Sequence, residues 1–172
     1  MARAAALLLT TGVVVVMVMV VAAPSASAGT ASNTMNASTT VVSACSVNGN
    51  TLNFGSTINP VGGGAVASST SLTVQCTAAT PYSVALNAGT NTGGGSNFAG
   101  RVLKNGAYTI GYQLYLNAGL TTLWGDGTAG SSVYSGTGTG GVQTLTIYGN
   151  LPSLTGAVPG LYTDTVTVTV SY

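Results

Sequence analysis

Hydrophobic and polar positions alternate most regularly over the last residues of the chain. From Tyr162 onward, Tyr162, Val166, Val168, Val170 and Tyr172 take one parity, and Thr163, Thr165, Thr167, Thr169 and Ser171 take the other. Successive strand side chains point to opposite faces, so the run predicts a strand with one face buried and the other wetted by hydroxyls. β-branched residues dominate it, and neither Gly nor Pro interrupts it. No later segment is expected to return and cover its free edge. A long strand with unpaired N–H and C=O groups invites pairing with another chain.

Shorter alternations precede it. Leu72, Val74 and Cys76 predict a strand over Ser71–Thr77, and Tyr82, Val84 and Leu86 another over Pro81–Asn87. The short link from Cys76 to Pro81 suggests that these two are neighbours. Tyr108, Ile110, Tyr112, Leu114 and Leu116 share one face, and Asn105-Gly106 just before them is a hairpin-turn dipeptide. Leu145 and Ile147 mark a strand over Val142–Gly149. Val47, Leu52 and Phe54 predict a first strand broken near Asn48-Gly49-Asn50. Gly55–Ser69, Ala88–Gly100 and Ser131–Gly141 read as loops, and Leu151–Gly160 as a Pro-bearing corner. Six or seven strands with turn signals and no helical period are the pattern of a β-sandwich. A complete seven-stranded sandwich needs a last strand that this chain is not expected to supply itself.

The beginning of the chain reads as a leader. Met1-Ala2-Arg3 is followed by an apolar run from Ala4 to Ala23, and Pro24-Ser25-Ala26-Ser27-Ala28 ends in an Ala-x-Ala cleavage pattern. The run approaches the roughly 20 residues of a membrane helix. No cationic flank follows to stop transfer, which favours a signal peptide over residues 1–28. Removing 28 of the 172 residues leaves 144, Gly29 to Tyr172, enough for one domain. Residues 29–44 then form a polar arm ahead of a globular region over 45–172. The arm alternates weakly, with Ala31, Met35, Ala37, Thr39 and Val41 on one side. Asn36-Ala37-Ser38 within it matches a glycosylation triplet, at chance level in so polar a chain.

Charge changes the picture by its scarcity. Past the leader there are two cations, Arg101 and Lys104, two anions, Asp126 and Asp164, and no His. That balance excludes a nucleic-acid footprint, which needs a basic face. It also leaves little repulsion between copies. Cys45 and Cys76 are an even pair in an exported chain, so a disulfide between them is expected. No cofactor or metal is implied, since too few ligands are present. Trp124-Gly125-Asp126-Gly127 offers a possible ligand site, an aromatic ring beside a carboxylate as in sugar binders. The competing reading is a Gly-flanked turn with Trp124 closing the core. Asp126 and Asp164 lack any supporting His, thiol or further carboxylate, so catalysis is not expected. Arg101 and Lys104 read as solvated loop charges, Tyr108, Tyr112 and Tyr162 as core, and Asp164 as a strand-end or turn cap.

Several short patterns occur in one order: Val42-Ser43-Ala44-Cys45 before Leu52-Asn53-Phe54-Gly55, then Val74-Gln75-Cys76-Thr77, Pro81-Tyr82 and Gly111-Tyr112-Gln113-Leu114-Tyr115. Trp124-Gly125-Asp126-Gly127, Leu145-Thr146-Ile147-Tyr148-Gly149 and Pro159-Gly160-Leu161-Tyr162-Thr163-Asp164-Thr165-Val166 follow. In this order the chain resembles the spore coat protein U domain family, which includes major subunits of archaic, Csu-type chaperone–usher pili. The resemblance implies an incomplete immunoglobulin-like sandwich completed by donor-strand complementation. A periplasmic chaperone would fill the groove first. The N-terminal arm of the next identical subunit would replace it, with an outer-membrane usher catalysing the exchange. The implied donor residues are Met35, Ala37, Thr39 and Val41. The implied groove residues are Phe54, Val166, Val168, Val170 and Tyr172. The product would be an extracellular homopolymer of shaft subunits. A spore- or cell-coat protein and a carbohydrate-binding module are the alternatives.

Overall fold

The computed structural model describes residue 25 and residues 27–93 and 95–172. Almost all of the expected signal segment lies outside the described residues. The chain divides between Thr39 and Thr40. In the first unit the described residues form neither helix nor strand, and all are exposed.

The second unit is all-β, an immunoglobulin-like sandwich. Its strands are β1 (Cys45–Gly49), β2 (Val66–Cys76), β3 (Pro81–Leu86), β4 (Val102–Asn105), β5 (Tyr108–Gly111), β6 (Gln113–Tyr115), β7 (Tyr134–Thr137), β8 (Val142–Leu151) and β9 (Val168–Ser171). One sheet has the order β1-β2-β8-β6, the second β7-β3-β9, and β4 and β5 form a separate ribbon. The named strands all pair antiparallel, and an isolated parallel bridge joins Trp124 and Ser132. Leu72, Val74, Leu145 and Ile147 of the first sheet share one core with Tyr82, Val84 and Leu86 of the second. These are the inward residues that period-two alternation selects.

The Cys45–Cys76 disulfide is present. It joins directly opposite residues of β1 and β2, tying the edge strand to the sheet. The cysteines are 31 positions apart, for which loop-closure entropy gives about 3–4 kcal/mol. Replacing both by Ser is therefore expected to lower unfolding free energy by about that amount, read as a lower denaturant midpoint, with a steeper slope because the unfolded chain is released from its loop.

The structure departs from the expectations where pairing, not alternation, makes the strand. β7 lies inside the expected Ser131–Gly141 loop, held by its ladder to β3. Gly136 is needed there, because a Cβ would come within 2.8 Å of the Tyr82 ring. β2 starts at Val66 rather than Ser71, its Ser-rich first half pairing with β8. β2 and β3 are not paired neighbours: their short link crosses from one sheet to the other. The Asn105-Gly106 hairpin forms one residue later than the dipeptide suggests. Asn105 pairs with Tyr108, leaving Gly106-Ala107 as the two-residue turn, with Gly106 at φ 58°. Tyr108 is exposed, not core, while Tyr112 is buried and Tyr162 half-buried.

Candidate functional site: a groove between two strand edges

The last segment keeps its alternation over its whole length, although only Val168–Ser171 joins a regular ladder. Thr163, Thr165, Thr167, Thr169 and Ser171 are exposed, while Tyr162, Asp164, Val166, Val168 and Val170 are half-buried. One edge of this segment is occupied. Thr163 exchanges hydrogen bonds with Lys104, both at 3.0 Å, and the carbonyls of Thr165 and Thr167 accept from Thr90 and Asn87. Backbone groups alternate in direction along a strand, so Asp164 and Val166 turn theirs toward the opposite edge. Among the described residues nothing pairs with them there.

Across from that edge stands the chain leaving β1. Residues 50–58 join no strand ladder, yet Leu52, Phe54 and Ile58 pack against the core. Gly149 of β8 makes room for them, since a Cβ there would come within 2.9 Å of the Phe54 ring. Phe54 meets Tyr112 edge to face at 6.4 Å. Between these two walls runs a groove made of two adjoining clefts of about 410 and 490 Å³. The clefts share Thr51, Leu52, Phe54, Leu103 and Asp164. Leu86, Leu114 and Ile147 line one half, and Leu151, Leu154 and Ala157 the other.

Of the expected groove residues, Phe54, Val166 and Val168 line the opening. Val170 packs against the core without lining either cleft, and Tyr172 is exposed. The groove thus lies beside the first half of the last segment, not its end. It narrows where a Cβ on Gly49 would stand 3.9 Å from Val168. Met35, Ala37, Thr39 and Val41 are all exposed, Met35 at 91% and Val41 at 78%. They are the apolar and small side chains of an arm that forms neither helix nor strand.

Asp164 is the residue that sequence reasoning misassigned. It is no cap at a strand end. It occupies an inward position of the last segment, where Oδ1 accepts from Thr90 Oγ1 at 3.0 Å and from the backbone N–H of Asn91 at 3.0 Å and Thr165 at 2.8 Å. Its Oδ2 accepts from the Tyr112 hydroxyl at 2.7 Å. Burial and this carboxylate push the Tyr112 hydroxyl well above the usual phenol range. The parity rule does place Asp164 with Tyr162 and Val166, which was the available signal.

Arg101 also corrects the sequence expectation, for it is fully buried rather than solvated. Its Nη2 donates to the carbonyls of Asn87 at 2.7 Å and Trp124 at 2.9 Å, and its Nε to Asn87 at 3.2 Å. The guanidinium lies 5.3 Å from the Phe98 ring centre. Burial pulls its pKa down to about 10, so the cation persists at neutral pH. Lys104 is exposed, as expected.

Trp124 is fully buried, and its Nε1 donates to the Val84 carbonyl at 2.9 Å. The ring is enclosed and its one donor is used, which leaves no face for a sugar. Asp126 is exposed nearby, and hydrogen bonds from Thr128 hold its carboxyl below the usual range. The two residues do not form one open site. Among the described residues no cluster of three metal-ligating side chains occurs.

A two-sheet sandwich with an open groove between unpaired strand edges defines the structural class. The family model of the Spore Coat Protein U domain matches residues 31–169, and the chain belongs to that family. A search of the curated proteins found no match. Among solved structures, the chain is similar to the CsuC–CsuE chaperone–tip adhesion subunit pre-assembly complex from archaic chaperone–usher Csu pili of Acinetobacter baumannii. The TM-score is 0.54 at 24% identity, covering 77% of this chain and 40% of that one. The chain therefore spans about two fifths of the length of the structure it matches, and the likeness concerns the fold.

Proposed function

We propose that this protein is a subunit of a chaperone–usher surface fibre that polymerises by donor-strand complementation. The observation that carries the proposal is the groove, lined by Leu86, Leu114, Ile147, Leu151 and Leu154 and flanked by the free edge of Asp164 and Val166, in a chain that also bears an exposed arm outside any helix or strand. An extended segment laid in such a groove gains main-chain hydrogen bonds from the edge and side-chain burial from the pockets. Arm and groove are different surfaces, so the contact does not close on itself and propagates as a filament. In this reading residues 1–28 are a removed signal peptide, residues 29–44 the donor arm and residues 45–172 the acceptor domain. The chain passes through the periplasm with a chaperone, exchanges partners at an outer-membrane usher and ends in an extracellular homopolymer. The matched structure pairs a chaperone with a pilus subunit, which supports a chaperone as the first partner. The enclosed Trp124 disfavours the sugar-binding alternative.

Purification of the exported chain tests the proposal. Co-expressed with the chaperone of its own export system, it is expected to elute as a soluble chaperone complex and, once released, as polymers. A stable monomer that neither needs a chaperone nor polymerises would sink the idea.

A further inference from the structure

Resting on that reading, we infer that the Asp164 carboxylate is a polar seat in the groove that receives the Thr39 hydroxyl of the incoming arm and so sets the register of the donor strand. Asp164 lines both clefts, and it is the one charged side chain among the described residues that line them. Its Oδ1 is occupied by three donors, but Oδ2 takes only the Tyr112 hydroxyl among the described residues. Oδ2 is thus the less engaged of the two oxygens, packed on one side against Gly89. An apolar side chain laid over it would strip its water and return no hydrogen bond, an unfavourable exchange.

The arm has one side chain suited to that place. Of the arm's three large apolar residues, Met35, Val41 and Val42, the parity of Met35, Ala37, Thr39 and Val41 turns two inward, and on that parity Thr39 is the one side-chain donor between those two. Antiparallel pairing is the more stable arrangement. With Thr39 opposite Asp164, Val41 falls opposite Tyr162, Ala37 opposite Val166 and Met35 opposite Val168. Val41 then enters the half lined by Leu151 and Leu154, and Met35 enters the narrow end beside Gly49. An unbranched thioether suits such an irregular space. A shift of two residues either way sets Ala37 or Val41 over the carboxylate, with no donor. A shift that brings Asn33 there carries Val41 out of the groove.

Cysteines at exposed positions in the full chain test the register with the inward side chains of arm and groove unchanged. In this register Ser38 stands opposite Thr165, both pointing away from the core. Ser38→Cys combined with Thr165→Cys is expected to give a ladder of disulfide-linked polymers on non-reducing denaturing gels. Yields from Ser38→Cys with Thr163→Cys or Thr167→Cys should be several-fold lower. Dominance of either alternative pair, or polymers with no cross-link from any pair, overturns the register. Absence of polymers from the unsubstituted chain overturns the fibre proposal itself, a separate result. Thr39→Val should lower the temperature at which polymers dissociate in detergent, and Thr39→Ser should restore it. Polymers of Thr39→Val that are as heat-resistant as the parent contradict the polar seat.

Discussion

Deletion of residues 29–41 is expected to abolish polymerisation while leaving capture by the chaperone intact. The deleted segment contributes nothing to the sandwich core, since none of its residues is buried. It carries the two large apolar side chains available to fill a neighbour's groove, Met35 and Val41. Burying each fully is worth about 1.5–3 kcal/mol, and pairing with the edge of Asp164 and Val166 adds main-chain hydrogen bonds. In the proposed fibre, losing these terms removes the contact between one subunit and the next. Size-exclusion chromatography of the chaperone-released chain reads the outcome: high-mass polymer from the intact chain, none from the deletion. Fibres formed by the shortened chain would assign the donor strand elsewhere.

Trp124→Ala is expected to cost about 3–5 kcal/mol of folding free energy, the range for emptying a buried aromatic site. Trp124 is among the largest fully buried side chains. It packs near Tyr134, at 6.4 Å between ring centres, and its indole N–H satisfies the Val84 carbonyl within β3. The truncation leaves a cavity and removes that hydrogen bond together. Domains are stable by about 5–15 kcal/mol, so the variant should lose much of its margin. Far-UV circular dichroism during denaturant titration is the suitable probe, because Trp124 is the chain's single tryptophan. A midpoint near that of the parent would mean that the ring is not the core element described above.

These two expectations rest on features of unequal visibility in the sequence. The inward face of the last segment was legible, because strict alternation leaves one assignment of faces, and Leu72, Val74, Cys76, Tyr82, Val84 and Leu86 were legible for the same reason. The disulfide followed from cysteine arithmetic. β7 was hidden because Tyr134-Ser135-Gly136-Thr137 has no apolar alternation; its strand character comes from β3, which no local pattern reports. Arg101 was misjudged because an isolated cation ordinarily stays in water. Its burial depends on carbonyls of Asn87 and Trp124, residues brought to it only by the fold. The groove was expected along the whole terminal strand. The structure limits it to the first half, because β1 approaches β9 around Gly49 and Val168 and leaves Val170 and Tyr172 outside it.

Amide hydrogen exchange on assembled polymers bears most directly on the borrowed strand. The N–H groups of Asp164 and Val166 have no partner among the described residues, and the arm from Met35 to Val41 lies outside any ladder. In polymers, both the groove edge and the arm should exchange as slowly as the core strands. Fast exchange at those amides in well-formed polymers would mean that subunits are joined by some other surface.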